Sequence, residues 1–387
     1  MGAKNDRRKY TYWACGIIIG SIITNGLIST SRFSKSFDAN NYEHDYLNES
    51  ITENVMKPSY FDESSICAKW IPSKRRKVLF VELNRWEDYY GGSKYKTGEY
   101  YVSATWDYAL RKHGFQVKRV STHQYYKRMK VEEILQYHRI FVRDPKHHRY
   151  YNISSIQCKV RPMYFFGDWY YKKNVHNYRF QVPFDEKQIL SANPDNHNTF
   201  LGYFPHNLLS SSDLPNYERG KVGLLYGKKP EYFKKDYHDV ILALLSEGFE
   251  LHTTCMDTAK KKCHLPDEVI RHGNLNPDDF AKLMKKFSFM LGLGEPVGSP
   301  SPLVGLSYGV TFLNPLREIG SSDTQHKALA RLGFPYTYIV DLSNSRQVVQ
   351  AAKWASKFRF TSYVPPQFRV ESLADRMCTV VEDDSFC

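Results

Sequence analysis

The sequence predicts an α/β protein made of two successive parallel-sheet units, and three observations carry that expectation. First, Phe287–Pro315 passes from an apolar run too short for a helix (Phe287–Leu291), through a loop of glycine, serine and proline, to a helix start at Pro302–Tyr308 and a second apolar run, Val310–Leu313. Strand, loop, helix and strand in that order form the repeating unit of an open parallel sheet. Second, the same alternation opens the first half at Lys77–Glu82 and returns from Lys221 onward. Third, 387 residues leave room for two domains of ordinary size.

The N-terminus reads differently from the rest. Met1–Lys9 carries Lys4, Arg7, Arg8 and Lys9, and an uncharged apolar segment follows from Tyr10 to Ser29. About twenty helical residues cross a bilayer core, and the flanking cations predict a cytoplasmic tail (1–9) and a signal anchor (10–29). A cleaved signal peptide shares the basic start; the length and the lack of a small-residue cleavage site favour the anchor. Residues 30–73 are polar and aperiodic, as in a luminal stem. Asn48 and Asn152 head glycosylation sequons.

In the first half, 74–204, KVLFVE is a buried strand. Glu99–His113 is a helix with Tyr101, Ala104, Trp106, Tyr108 and Leu110 on its apolar face, ended by Gly114. Phe115–Val120 and Arg139–Val142 supply two further strands. After a linker at 205–220 the second half, 221–387, reads strand Val222–Tyr226, helix Tyr232–Ser246, strand Phe249–Thr253 and helix Asp278–Lys286. The opening stretch follows, then strand Tyr336–Asp341 and helices Arg346–Lys357 and Arg369–Val381.

The net charge of +13 comes from scattered basic residues without a nucleic-acid-binding motif, so no nucleic-acid partner is expected. The 29 tyrosines, 23 phenylalanines and 6 tryptophans suit a secreted or luminal sugar-handling protein. No histidine–cysteine set has metal-ligand spacing. Asp278-Asp279 follows Pro277 at a helix start, where acids serve as caps. A metal site is therefore not expected. Of the seven cysteines, Cys15 lies in the apolar segment. Proximity suggests the pairs Cys255–Cys263 and Cys378–Cys387, leaving Cys67–Cys158.

Glycines 292, 294 and 298 in the loop after the Phe287–Leu291 strand admit two readings, a tight turn or a close backbone approach to a nucleotide phosphate. The fuller pattern weighs on the second. GLGEPVGSPSPL followed by LSYGVTFLNP resembles the donor-site region of the α-1,6-mannosylglycoprotein β-1,6-N-acetylglucosaminyltransferases, the N-acetylglucosaminyltransferase V family. LLYGK, PDNHNTFLGYF, Gln157-Cys158, Val340-Asp341-Leu342 and the terminal EDDSFC resemble that family too.

The resemblance implies a GT-B-like fold of two Rossmann-type domains facing a cleft, in a Golgi type II membrane protein with a luminal catalytic part. It implies an inverting enzyme that takes N-acetylglucosamine from UDP-GlcNAc to a mannose of N-glycans, with no metal cofactor. Donor binding falls to Tyr226, Gly227, Lys228, Gly292, Gly294, Glu295, Ser299, Pro300, Ser301, Pro302 and Leu303. Glu99, in the family's glycine–glutamate pair, becomes the catalytic base; on the residues alone it complements a helix dipole. The chain departs from the family at Val304, where the family has a glutamate, at Val297-Gly298-Ser299, and after Pro315, where a lysine-bearing segment is shortened. The rival reading is a membrane-tethered glycan-binding or scaffolding relative whose donor site has decayed.

Overall fold

The computed structural model describes residues 76–82, 98–143, 153–164, 184–194, 198–205 and 220–387, excepting 274, 276, 296, 318–321 and 359. All lie in one compact unit, Pro58–Cys387. The expected anchor and stem, Asn48, Asn152 and Cys67 fall outside the described residues. Among the described residues no helix is long and apolar enough to cross a membrane.

The first half builds a parallel sheet from β1 (Lys77–Glu82), β2 (Gln116–Ser121), β3 (Arg139–Arg143), β4 (Val160–Tyr164), β5 (Leu190–Ser191) and β6 (Thr199–Phe200), in the order β2-β1-β3-β4-β5-β6. Central strands covered on both faces should be apolar throughout, and β1 is buried from Val78 to Glu82. β2 is an edge strand and alternates instead, with Lys118 and Arg119 among its residues.

The second half forms another parallel sheet from β7 (Val222–Tyr226), β8 (Glu250–Thr253), β9 (Ile270–Arg271), β10 (Phe289–Gly292), β11 (Thr311–Pro315) and β12 (Thr337–Val340), in the order β12-β11-β10-β7-β8-β9. Two six-stranded parallel sheets fit the two Rossmann-like halves anticipated above.

The helices that bear on the two crevices and the core are, in chain order, α1 (Gly98–Lys112), α2 (His238–Ser246), α3 (Pro277–Met284), α4 (Ser301–Ser307), α5 (Ser345–Lys357) and α6 (Val370–Glu382). Gly114 ends α1 with φ 79°, the left-handed turn its lack of a side chain allows. The helix expected from Tyr232 begins only at His238, because two 3-10 turns precede it. Tyr108 does not belong to the buried face of α1. It is 48% exposed, while Val102, Trp106, Ala109 and Leu110 are fully buried. The Trp106 indole N–H donates to the Gly202 carbonyl at 2.6 Å, so the ring's one polar atom is satisfied inside the core.

The apolar core is shared by the halves. One cluster runs from Val78, Phe80 and Trp106 to Leu224, Met290, Leu303 and Phe312. At the end of the chain, α6 packs on α1 of the first half. Beyond α6, the Arg139 guanidinium donates to Asp384 Oδ1 at 2.7 Å and to the Asp383 carbonyl, which Arg161 also reaches at 3.1 Å. Asp384 thus pairs with the buried Arg139, and the Asp383 carbonyl accepts from both buried arginines. The cysteine pairing is corrected in the same place: Cys387 bonds to Cys158, not to Cys378, and Cys158 is therefore not the partner of Cys67. Cys255–Cys263 forms as expected, and Cys378 is also disulfide-bonded.

Candidate active site

Counting strands within the second half, the sheet order is 6-5-4-1-2-3. The chain leaves β7 toward one side of the sheet and leaves β10 toward the other, which opens a crevice at their carboxyl ends. Tyr226 and Gly292 are register partners there. The loop after β7 carries Gly227 and Lys228, and the loop after β10 carries Gly294, Glu295, Ser299 and Pro300. Two stretches 60-odd residues apart in sequence thus meet at one switch point.

The β10 loop is wired to the protein on several sides. The Tyr226 hydroxyl lies 2.7 Å from Ser299 Oγ, which also accepts the Ser301 N–H at 3.4 Å. Asn193 of the first half donates from Nδ2 to the Gly298 carbonyl at 3.0 Å. Gln325, after β11, accepts the Gly294 N–H on Oε1 at 3.0 Å and the Gly298 N–H on its carbonyl at 2.9 Å. His326 holds the next position: its N–H donates to Asn314 Oδ1 and its carbonyl accepts from Asn314 Nδ2, both at 3.0 Å. Its ring sits 3.4 Å from the Tyr203 hydroxyl, and complete burial pulls the imidazole down to about 4, so it is neutral near pH 7.

These contacts revise the reading of the glycines. A side chain at Gly292 would meet Gln325 and, at 2.8 Å, Pro315; one at Gly298 would meet Asn193 at 2.7 Å. Those two glycines make room for protein groups. Gly294 differs: φ is +84° and its nearest neighbour would be the Tyr237 hydroxyl at 3.8 Å, so space remains beside it.

The remaining named residues divide by exposure. Lys228 and Glu295 are exposed, and Gly294 and Ser301 are half-buried. Gly227 is buried, and its carbonyl accepts from Thr254 at 3.4 Å. Pro300 and Pro302 are buried, and Leu303 is fully so, packed in the core. Leu303 therefore presents no side chain to a ligand. α4 starts at Ser301, one residue earlier than expected. Val304 rests against the apolar core. Glu295 and Arg317, the groups near the family's missing acids and lysine, face each other at 4.0 Å, and Arg317 also holds Asp323 at 2.9 Å.

In the first half the chain reverses direction between β1 and β3, and their carboxyl ends hold an ion pair of buried Glu82 with half-buried Arg143. Ser103 of α1 donates to Glu82 at 2.5 Å. This contact anchors the N-terminal part of α1 over the first sheet's own switch point. Glu99 is the second residue of that helix, one turn before Ser103. Among the described residues no three His, Cys, Asp or Glu side chains gather in a metal-holding group.

The family model of glycosyltransferase family 18 matches residues 117–387. The chain belongs to glycosyltransferase family 18. The matched residues include both loops at the second crevice and exclude Glu99. Relatives agree: human α-1,6-mannosylglycoprotein 6-β-N-acetylglucosaminyltransferase A is 31% identical over 219 residues, 50% of this chain and 28% of that protein. The human B enzyme is 22% identical over 270 residues, covering 62% and 34%. The Caenorhabditis elegans enzyme is 24% identical over 280 residues, covering 62% and 41%. The chain thus spans well under half the length of the curated relatives it matches. Among solved structures, Anabaena Alr3699/HepE in complex with UDP and glucose aligns at 9% identity and a TM-score of 0.43, over 79% of this chain and 94% of that one. Similarity that low carries no functional weight.

Sequence reasoning missed Asn193, Tyr203, Gln325 and His326. Asn193 directly precedes the PDNHNTFLGYF match, and Gln325-His326 end the shortened segment after Pro315. Nothing in their spacing signals contact with a loop roughly thirty or a hundred residues away.

Proposed function

We propose that this chain is an inverting glycosyltransferase of GT-B type that moves N-acetylglucosamine from UDP-GlcNAc to a mannose hydroxyl of an N-glycan, in the β-1,6 branching manner named for its relatives. The observation that carries this reading is the meeting of the β7 and β10 loops at the second sheet's switch point, inside the region matched to the family. Sugar-nucleotide binding belongs at such a crevice. The acceptor hydroxyl oxygen bonds to the anomeric carbon as the bond to UDP breaks, and Glu99 takes the hydroxyl proton. Lys228 stands at the crevice to offset the charge of the departing diphosphate. No metal is assigned to this step.

Binding of UDP is the direct test. Calorimetric titration of the chain with UDP should give saturable binding and raise its melting temperature. Absence of both would overturn the donor assignment. A second reading, a glycan-binding or scaffolding relative, draws on one observation: Val304 packs against the apolar core where the family has a carboxylate. The same titration separates the two. We place the protein in the Golgi membrane as a single-pass type II protein, on the strength of the cation-flanked segment 10–29. Protease added to sealed microsomes should spare everything beyond Ser29, and digestion of that part would refute the placement.

A further inference from the structure

The glycine loop contains two left-handed residues, Gly294 (φ +84°) and Gly298 (φ +64°). A segment of that kind has many unfolded conformers, and fixing it is entropically costly. Its shape therefore depends on what pins it from outside. Gln325 is the residue that touches it most fully. Its side-chain Oε1 takes the Gly294 N–H at 3.0 Å, its carbonyl takes the Gly298 N–H at 2.9 Å, and its own N–H donates to the Pro315 carbonyl at 2.9 Å. One residue thus spans both ends of the Gly294–Gly298 turn and ties them to the end of β11. Gln325 is 1% exposed, and its amide occupies the space that a side chain at position 292 would need. A buried amide tied to the end of β11 is a suitable fixed point, because its acceptor cannot turn to water instead.

From this we infer that Gln325 is a positioning residue for the donor: it sets the glycine loop in its receiving conformation before the sugar nucleotide arrives. The inference rests on the donor reading above. Gln325 does not touch the donor on this account. It acts through Gly294, where open space adjoins the loop backbone. Pre-forming a loop removes an ordering cost that binding otherwise bears, so its loss should appear in donor affinity.

The test uses Gln325→Met, which keeps length and apolar volume but removes the acceptor. Gln347→Met serves as control, because Gln347 Oε1 accepts a backbone N–H in the same way, from Asp341 at 2.7 Å, outside the loop. UDP is the probe, by calorimetry, with melting temperature and amide hydrogen exchange of the loop measured on the same proteins. Gln325→Met should bind UDP about tenfold more weakly, in line with the loss of one buried hydrogen bond, and exchange faster at Gly294. Gln347→Met should lose comparable melting temperature and keep its UDP affinity. Equal UDP affinity in Gln325→Met and wild type overturns the inference, as does an equal loss in the control. A wild-type chain that binds no UDP overturns the donor reading itself and removes the basis for this role.

Discussion

The hydroxyl of Tyr226 lies 2.7 Å from the hydroxyl of Ser299. This contact fastens the end of β7 to the glycine loop after β10, across the crevice where the second sheet changes direction. Ser299 is buried, and its oxygen also faces the Ser301 N–H at the start of α4.

Tyr226→Phe removes one partner and leaves the Ser299 hydroxyl without it. The expected loss is about 1 kcal/mol of stability, seen as a fall in melting temperature, and UDP affinity should weaken with it. A variant that melts and titrates like wild type would show that this contact does not hold the loop.

His326 sets a pH dependence. Burial holds its folded value at about 4, below the ordinary 6.5. The unfolded chain therefore binds more protons between those values, and stability falls as pH drops from 6.5 toward 4. Between pH 7 and pH 5 this one ring should cost about 2 kcal/mol. His138, also held at about 4 by burial and the nearby Arg139 and Arg76, acts in the same direction. Replacing His326 with glutamine should reduce, not abolish, the drop in melting temperature over that interval. An unchanged drop would mean that His326 is not among the groups responsible.

Glu99→Gln keeps the size of the side chain and removes its ability to take up a proton. If Glu99 is the base, turnover should fall by roughly 10²–10⁴-fold, while UDP binding, assigned to the other half, stays almost the same. A glutamate serving only the α1 dipole would cost about 0.3–1 kcal/mol of stability and leave turnover intact. Turnover and melting of one purified mutant separate these cases.

Chelation bears on the leaving group. With Lys228 assigned to the diphosphate, transfer should continue in excess EDTA. Activity lost to EDTA and regained with Mn²⁺ would show that a metal site had been overlooked.

Much of the architecture was legible because it is local. KVLFVE and VGLLY are short continuous apolar runs, and a strand buried on both faces demands that pattern. Gly114 marked the end of α1 because only a glycine turns so readily there. The Phe287–Pro315 stretch announced its strand, loop, helix and strand, and the family pattern in it pointed to the same crevice. Tyr108 was misread because its neighbours' spacing suggested one buried stripe, whereas α1 is covered on most sides and leaves that ring outward.

What the sequence by itself determined, then, is the order of strands and helices, and which residues stand at the strand ends. The tertiary structure alone decided what those residues touch. Gly292 and Gly298 looked like openings for a ligand until Gln325 and Asn193 were found beside them. Cys387 sits nine residues from Cys378 but bonds to Cys158, 229 residues away, because α6 carries the chain end back onto the first half. Sequence neighbours share a segment, but contact depends on how layers pack, and packing is set by the whole core at once.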